Sequence, residues 1–165
     1  MVRGAPYSVA MTTLAAIYEH NAWANLLLIE ACRELTPEQL ATAVEGTYGE
    51  LGDTLAHLVS GETFYVELLT DWGPPERWHR GDPFPGIESL LQRARETGPR
   101  LLAVAQSIDA DELIERDPGE LIPASVVLVQ AVNHATEHRA HIATILTQLG
   151  IEPPAIDGWH HGGFE

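Results

Sequence analysis

Asn133-His134-Ala135-Thr136-Glu137-His138-Arg139-Ala140-His141 lies inside an apolar run from Leu121 to Gly150, and the spacing of its histidines decides the fold. An α-helix advances about 100° per residue, so positions i, i+4 and i+7 share one narrow stripe. His134, His138 and His141 therefore point the same way, and Val127, Ile145 and Leu149 extend their stripe in both directions. That composition marks the face a helical bundle buries. Buried imidazoles need partners for their ring nitrogens, because leaving them unpaired is costly. Two histidines four residues apart on one helix can grip a single divalent ion, which meets that need. Hydrogen-bonded core histidines are the alternative; the buried stripe and the third histidine favour the metal.

Working outward, helical periodicity dominates, and no segment alternates cleanly enough to predict a sheet. A first helix is expected from about Ser8 to Glu34. Thr36-Pro37-Glu38 reads as a cap followed by proline at the first position of a short helix. Thr47-Tyr48-Gly49-Glu50 has the form of a capping box opening a second long helix to about Asp71. From Trp72 to Gly86 the chain is rich in Pro, Gly and aromatics, the composition of a lid or a packed surface segment. A third helix spans Ile87 to Ser107, with a kink or interruption expected at Gly98-Pro99. An acidic connection, Asp109 to Glu120, leads to a fourth helix opened by Pro123 and closed by Gly150. These elements predict an all-α four-helix bundle of up-and-down type with a long crossover loop and a short extra helix. At 165 residues the chain makes one domain, with an N-terminal arm at 1–7 and a C-terminal tail at 151–165.

Composition narrows the chemistry. A net charge of -15 argues against nucleic-acid binding and against docking on anionic membranes. No apolar run is long enough to span a bilayer, and the N-terminal residues lack a secretory h-region, so a cytoplasmic location is expected. The single cysteine, Cys32, cannot form an internal disulfide, and reads as a small core hydrophobe. All nine basic residues are arginine. The absence of lysine excludes a Schiff-base lysine, a lysine general base and a Walker A loop.

Two ligands from one helix leave a metal needing more, and bundles complete such sites from facing helices. His57, in Leu55-Ala56-His57-Leu58-Val59, is the obvious third, with Gly61, Phe64 and Leu68 extending its stripe. Alone it would read as a hydrogen-bonded core residue; opposite a buried His-x-x-x-His it becomes a ligand. Three protein ligands with open coordination positions describe a catalytic site more than a structural one.

Trp23-Ala24-Asn25, Asp53-Thr54-Leu55-Ala56-His57-Leu58 and Asn133-His134-x-x-x-His138-Arg139-x-x-Ile142 follow one another in an order and spacing that resemble the DinB/YfiT-like superfamily of metal-dependent bacterial enzymes. The tail from Leu149 to Trp159 is similar to that family's ending, so the resemblance covers nearly the whole chain. It implies a four-helix bundle holding Zn2+, Ni2+ or a similar ion on His57, His134 and His138. It also implies a homodimer, and thiol-dependent transferase, isomerase or hydrolase activity with a low-molecular-weight thiol such as bacillithiol, mycothiol or glutathione. Two departures stand out. His141 replaces a glutamine common in the family, bringing a fourth imidazole to the site or its surroundings. The mycothiol-dependent maleylpyruvate isomerase branch carries glutamate at the position of His134, which argues against that reaction.

Further candidates follow from position. Asp53, one turn before His57, can orient that imidazole or simply favour the helix N-terminus. Glu137 flanks the histidine pair and faces either the site or solvent and a partner helix. Arg139 either steers an anionic cofactor or makes an ion pair. Glu62 lies off the His57 stripe and is not expected to be a ligand. Trp159-His160-His161 either plugs the bundle end or forms a loose tail; His20 and His79 are given no role. The expected function is a metal-dependent enzyme activating a thiol or water for attack on a small electrophilic substrate. The alternatives are a metal-dependent hydrolase, a non-catalytic metal- or ligand-binding bundle, and a bundle whose histidines are purely structural.

Overall fold

Thr12 accepts a hydrogen bond from the Ala15 amide at 3.2 Å and caps α1 (Thr13–Ala31). The computed structural model describes residues 12–164, so the expected helix start at Ser8 and the arm at 1–7 lie outside the described residues. The C-terminal end of α1 comes three residues before the expected Glu34, with Cys32 as a fully buried cap residue. Thr36 and Gln39 form a reciprocal capping box around α2 (Pro37–Leu40). The box expected at Thr47 does not form. Instead the Thr47 hydroxyl donates to the Val44 carbonyl at 2.8 Å, and Glu50 is the N-cap of α3 (Leu51–Leu69) without a side-chain cap bond.

The expected interruption at Gly98-Pro99 is absent: α4 (Ile87–Ser107) runs through both residues. Gly98 serves packing instead. A Cβ there would lie 2.7 Å from that of Ala22, so glycine is what lets α4 approach α1. The acidic connection also differs from expectation. It holds a two-stranded antiparallel hairpin, β1 (Leu113–Asp117) and β2 (Glu120–Pro123), with Ile114 opposite Ile122 and an irregularity between Glu115 and Asp117. Ile114, Ile122 and Pro123 are half-buried while Leu113 and Leu121 are exposed, so the period-2 signal is too short to read. α5 (Ala124–Gln148) follows. Gly150, at φ +74°, lets the Ile151 amide reach the Leu146 carbonyl and ends the helix as expected. Asp157 caps α6 (Gly158–His161).

Residue pairs fix the helix directions. Gly98 meets Ala22 and Glu88 pairs with Arg33, so α4 is antiparallel to α1. His57 faces His138 and Gly61 faces His134, so α5 is antiparallel to α3. The Tyr18 hydroxyl donates to the Leu128 carbonyl while Asn25 bonds Arg139, so α1 and α5 run parallel. α3 and α4 therefore share a direction. Strict up-and-down alternation is broken there, and residues 70–86 are the long crossover that returns the chain along the bundle. Phe84 in this segment seats against Gly52, where a Cβ would already touch its ring at 3.4 Å.

The core has two apolar parts. Leu28, Leu55, Leu58, Leu90 and Ile145 lie in one, and Tyr18, Val66, Leu101 and Val127 in the other. Between them each long helix contributes buried polar groups: Asn21 and Asn25, Glu62, Thr97 and Arg139. Asn25 Nδ2 donates to Glu62 at 2.8 Å and Asn21 Nδ2 to the same oxygen at 3.3 Å. Their carbonyl oxygens accept from Arg139 at 2.7 and 2.6 Å. The Thr97 hydroxyl donates to the other Glu62 oxygen. Each asparagine thus uses both ends of its amide to join a buried carboxylate to a buried guanidinium.

Candidate metal centre

His57 on α3 and His134 and His138 on α5 bring one ring nitrogen each to within 4.8 Å of one another, the only such metal-capable group found among the described residues. The Nε2 atoms of His57 and His134 are 3.1 Å apart. Two nitrogens each about 2.0–2.1 Å from a tetrahedral zinc would lie only a little further apart. Gly61 makes the approach possible. A methyl on its α-carbon would lie 2.9 Å from Nε2 and 3.0 Å from Nδ1 of His134, in the volume the imidazole fills.

The donor chemistry fits a cation. Burial, with His138 and His57 nearby, holds His134 down at about 3, and burial with His57 and His141 holds His138 at about 4. His57 is lowered by burial and by Arg80. All three rings are therefore neutral at physiological pH, the form that ligates a metal. Nδ1 of His138 and Nδ1 of His141 are buried without a hydrogen-bond partner. A buried imidazole without its full set of partners is the expected mark of a site built for a further ligand.

Other candidates fall on either side of this geometry. The His141 ring centroid is 5.6 Å from that of His138, next to the cluster but outside the three-nitrogen group. Asp53 is exposed and makes no hydrogen bond to His57. It lines a small cavity of about 30 Å3 with Tyr48, His57 and Arg80. Glu137 is exposed and reaches the site only by its charge, which opposes the lowering of His138. Arg139 is 5% exposed and committed to Asn21, Asn25 and Thr136, so neither a free anion hook nor a surface ion pair describes it. Glu62 sits in that same buried network, outside the three-nitrogen group. Burial pushes its carboxyl up, against the pull of its three donors and Arg139.

The sequence reading missed three contributors. Tyr48, read only as part of the expected capping box, stacks on His57 at 4.2 Å with an 8° interplanar angle and meets His138 edge-on at 5.0 Å. No sequence signal links a loop tyrosine to a helix histidine. His79, given no role, lines both cavities beside His57 because the crossover passes over the site. Gly61, read only as part of a stripe, could have been noticed as a glycine one turn after a histidine in mid-helix. Midway along α1, His161 packs on Trp23 and His20, and the His20 ring lies 2.8 Å from the Ile156 carbonyl. The tail is therefore docked, while Trp159 itself is 73% exposed and plugs nothing.

A second cavity of about 370 Å3 borders His57 and His134 and is walled by Phe64, Tyr65 and Trp78, with Arg77 and Arg93 in its lining. The arrangement offers three neutral nitrogen donors beside a space large enough for a small molecule.

The same architecture occurs in known proteins. A crystal structure of a DinB-like protein from Bacillus cereus ATCC 10987 superposes with a TM-score of 0.68 at 17% identity, over 86% of this chain and 94% of that one. Protein DinB of Bacillus subtilis (strain 168) is 20% identical over 152 residues, 86% of this chain and 88% of its own length. The sequence model of the DinB family matches residues 10–162, and the chain belongs to the DinB family.

Proposed function

We propose that this protein is a metal-dependent enzyme in which His57, His134 and His138 hold one divalent ion, Zn2+ or Ni2+. The observation carrying this reading is the convergence of three neutral imidazole nitrogens beside an accessible cavity. When bound, the ion supplies Lewis acidity that turns a weakly acidic thiol or water into a nucleophile at neutral pH. The chain's own residues do the rest. Tyr48 holds the plane of His57 by stacking, Gly61 leaves room for His134, and the crossover segment with Trp78 and His79 shields the site from bulk water. Asp53, which shares a cavity lining with His57, and His141, beside His138, are the candidates to take up or return a proton. The preferred reaction is transfer of a thiol to a small electrophile, with hydrolysis as the second reading.

Elemental analysis of native protein should find about one divalent ion per chain. His57→Ala and His134→Ala should each lose it, and retention by both removes the assignment. Cobalt-substituted protein titrated with bacillithiol, mycothiol, glutathione and cysteine separates the two reactions. Intense charge-transfer absorption with one thiol supports transfer. If no thiol perturbs the spectrum, hydrolysis becomes the reaction to screen.

The proposal includes a cytoplasmic homodimer. Among the described residues no helix is long and apolar enough to cross a membrane. Leu14 and Ile17 on α1, with Val126 and Val129 on the neighbouring α5, are exposed apolar pairs spaced three residues apart, the pattern of helix faces that pack on another subunit.

A further inference from the structure

The 370 Å3 cavity beside His57 and His134 has an uneven distribution of polar groups. Of its hydroxyls, Ser60 donates to the His57 carbonyl and Thr63 to the Val59 carbonyl, both within their own helix, and that of Tyr65 pairs with Gln130. Glu67 is the carboxylate in the lining, and it accepts from Arg77 at 2.9 Å. Arg93 is left. Its side chain is 8% exposed, and its guanidinium carbon lies 4.7 Å from the centroid of Trp78. Its Nη2 donates to the Glu76 carbonyl at 2.9 Å, while the Glu96 carboxylate stays 3.9 Å from Nε, beyond hydrogen-bond range. A guanidinium has five N–H donors in a rigid fork. Arg93 is thus a cation fixed by an aromatic face, a backbone carbonyl and the nearby charge of Glu96, in the cavity lining and with no hydrogen bond at Nη1 among the described residues. In a chain of net charge -15, this cavity's lining carries two arginines and one glutamate.

We propose that this cavity binds a small carboxylate-bearing molecule with an apolar, planar body as the substrate of the metal centre. The carboxylate sits on Arg93, the body lies against Phe64, Tyr65 and Trp78, and the far end reaches His57 and His134. Bidentate carboxylate recognition is what a pre-positioned guanidinium does best, and the aromatic walls favour a flat partner. The role of substrate rests on the metal-centre reading above; the binding itself does not.

The experiment therefore uses both metal-free and Zn2+-loaded protein. Binding of 3-phenylpropanoate and of its uncharged counterpart 3-phenylpropanamide is measured by titration calorimetry. The carboxylate should bind about tenfold tighter or more in both forms, as charge-assisted bonds exceed neutral ones. Arg93→Gln should erase that preference. Phe64 is 45% exposed, so Phe64→Ala folds normally and should weaken both probes several-fold. Equal affinity for the two probes, or no binding of either at millimolar concentration, overturns the proposal. So does binding that Phe64→Ala leaves unchanged, or a preference confined to the Zn2+-loaded form, which assigns the carboxylate to the metal. Metal content is read separately: protein that holds no metal but keeps the Arg93-dependent preference retains the site and removes the metal-centre reading.

Discussion

Gly61 is the residue on which the candidate centre turns, because its missing side chain is the space that the His134 ring occupies. Alanine at a helix interior is ordinarily favoured over glycine by about 1 kcal/mol. Gly61→Ala should therefore leave thermal stability unchanged or slightly raised while displacing the His134 imidazole and cutting metal affinity at least about tenfold, the scale of a misplaced ligand. Chelator competition measures the affinity, and wild-type affinity in this variant would show that His134 is not needed. The same histidines set a pH dependence. His134 and His138 are held near 3 and 4 in the folded chain, against about 6.5 for an unfolded imidazole. Between those values the unfolded state binds more protons, so the metal-free protein loses stability as pH falls through that window. Melting temperatures of chelated protein should drop from pH 7 to pH 5, where carboxylates are still largely charged, and His134→Gln should flatten the slope. An equal slope in the variant would place the sensitivity in other groups.

At the scale of elements, the polar layer of Asn21, Asn25, Glu62, Thr97 and Arg139 sets how the four long helices are aligned. A one-turn slip of any helix would strand a buried charge or amide, whereas the leucine-rich parts on either side tolerate sliding better. Gly61 and His138 each neighbour a member of this layer in sequence, so alignment of the layer also aligns the candidate ligands. Removing one member of a buried charge pair costs about 3–5 kcal/mol, and replacing both by apolar residues costs far less. Glu62→Leu and Arg139→Met should each destabilise on that scale in urea unfolding, and the double variant should be more stable than either. If the two single losses simply add up to that of the double variant, the two charges are not coupled through the asparagines.

Over the whole molecule, the crossover and the exposed apolar pairs determine what the bundle presents. Residues 70–86 must travel along the bundle because α3 and α4 point the same way, and this carries Trp78, His79 and Arg80 over the histidines. Val129, 71% exposed on α5, is the most prominent of the uncovered aliphatic side chains among the described residues. Light scattering should give the mass of a dimer, and Val129→Arg should give a monomer with unchanged helical content, since the position contributes nothing to the core. A monomeric wild type would remove the homodimer from the proposal.

Helix period alone determined much of this protein. The i, i+4, i+7 spacing of His134, His138 and His141 placed them on one face of α5, and turn residues at Thr36 and Gly150 marked helix ends, because both signals act within a few residues of chain. The facing position of His57 was legible for the same reason, as a histidine on the buried stripe of another long helix. What sequence could not supply were relations between distant segments. Tyr48 stacks on His57 only because the turn before α3 folds back over it, and Arg93 meets Trp78 only because the crossover lies along the bundle. Arg139 looked like a surface or ligand-binding arginine until α1 and α3 closed around it with Asn21, Asn25 and Glu62. Burial and partnership are properties of the packed bundle, and a guanidinium reads the same in sequence whether it faces solvent, a substrate or an asparagine.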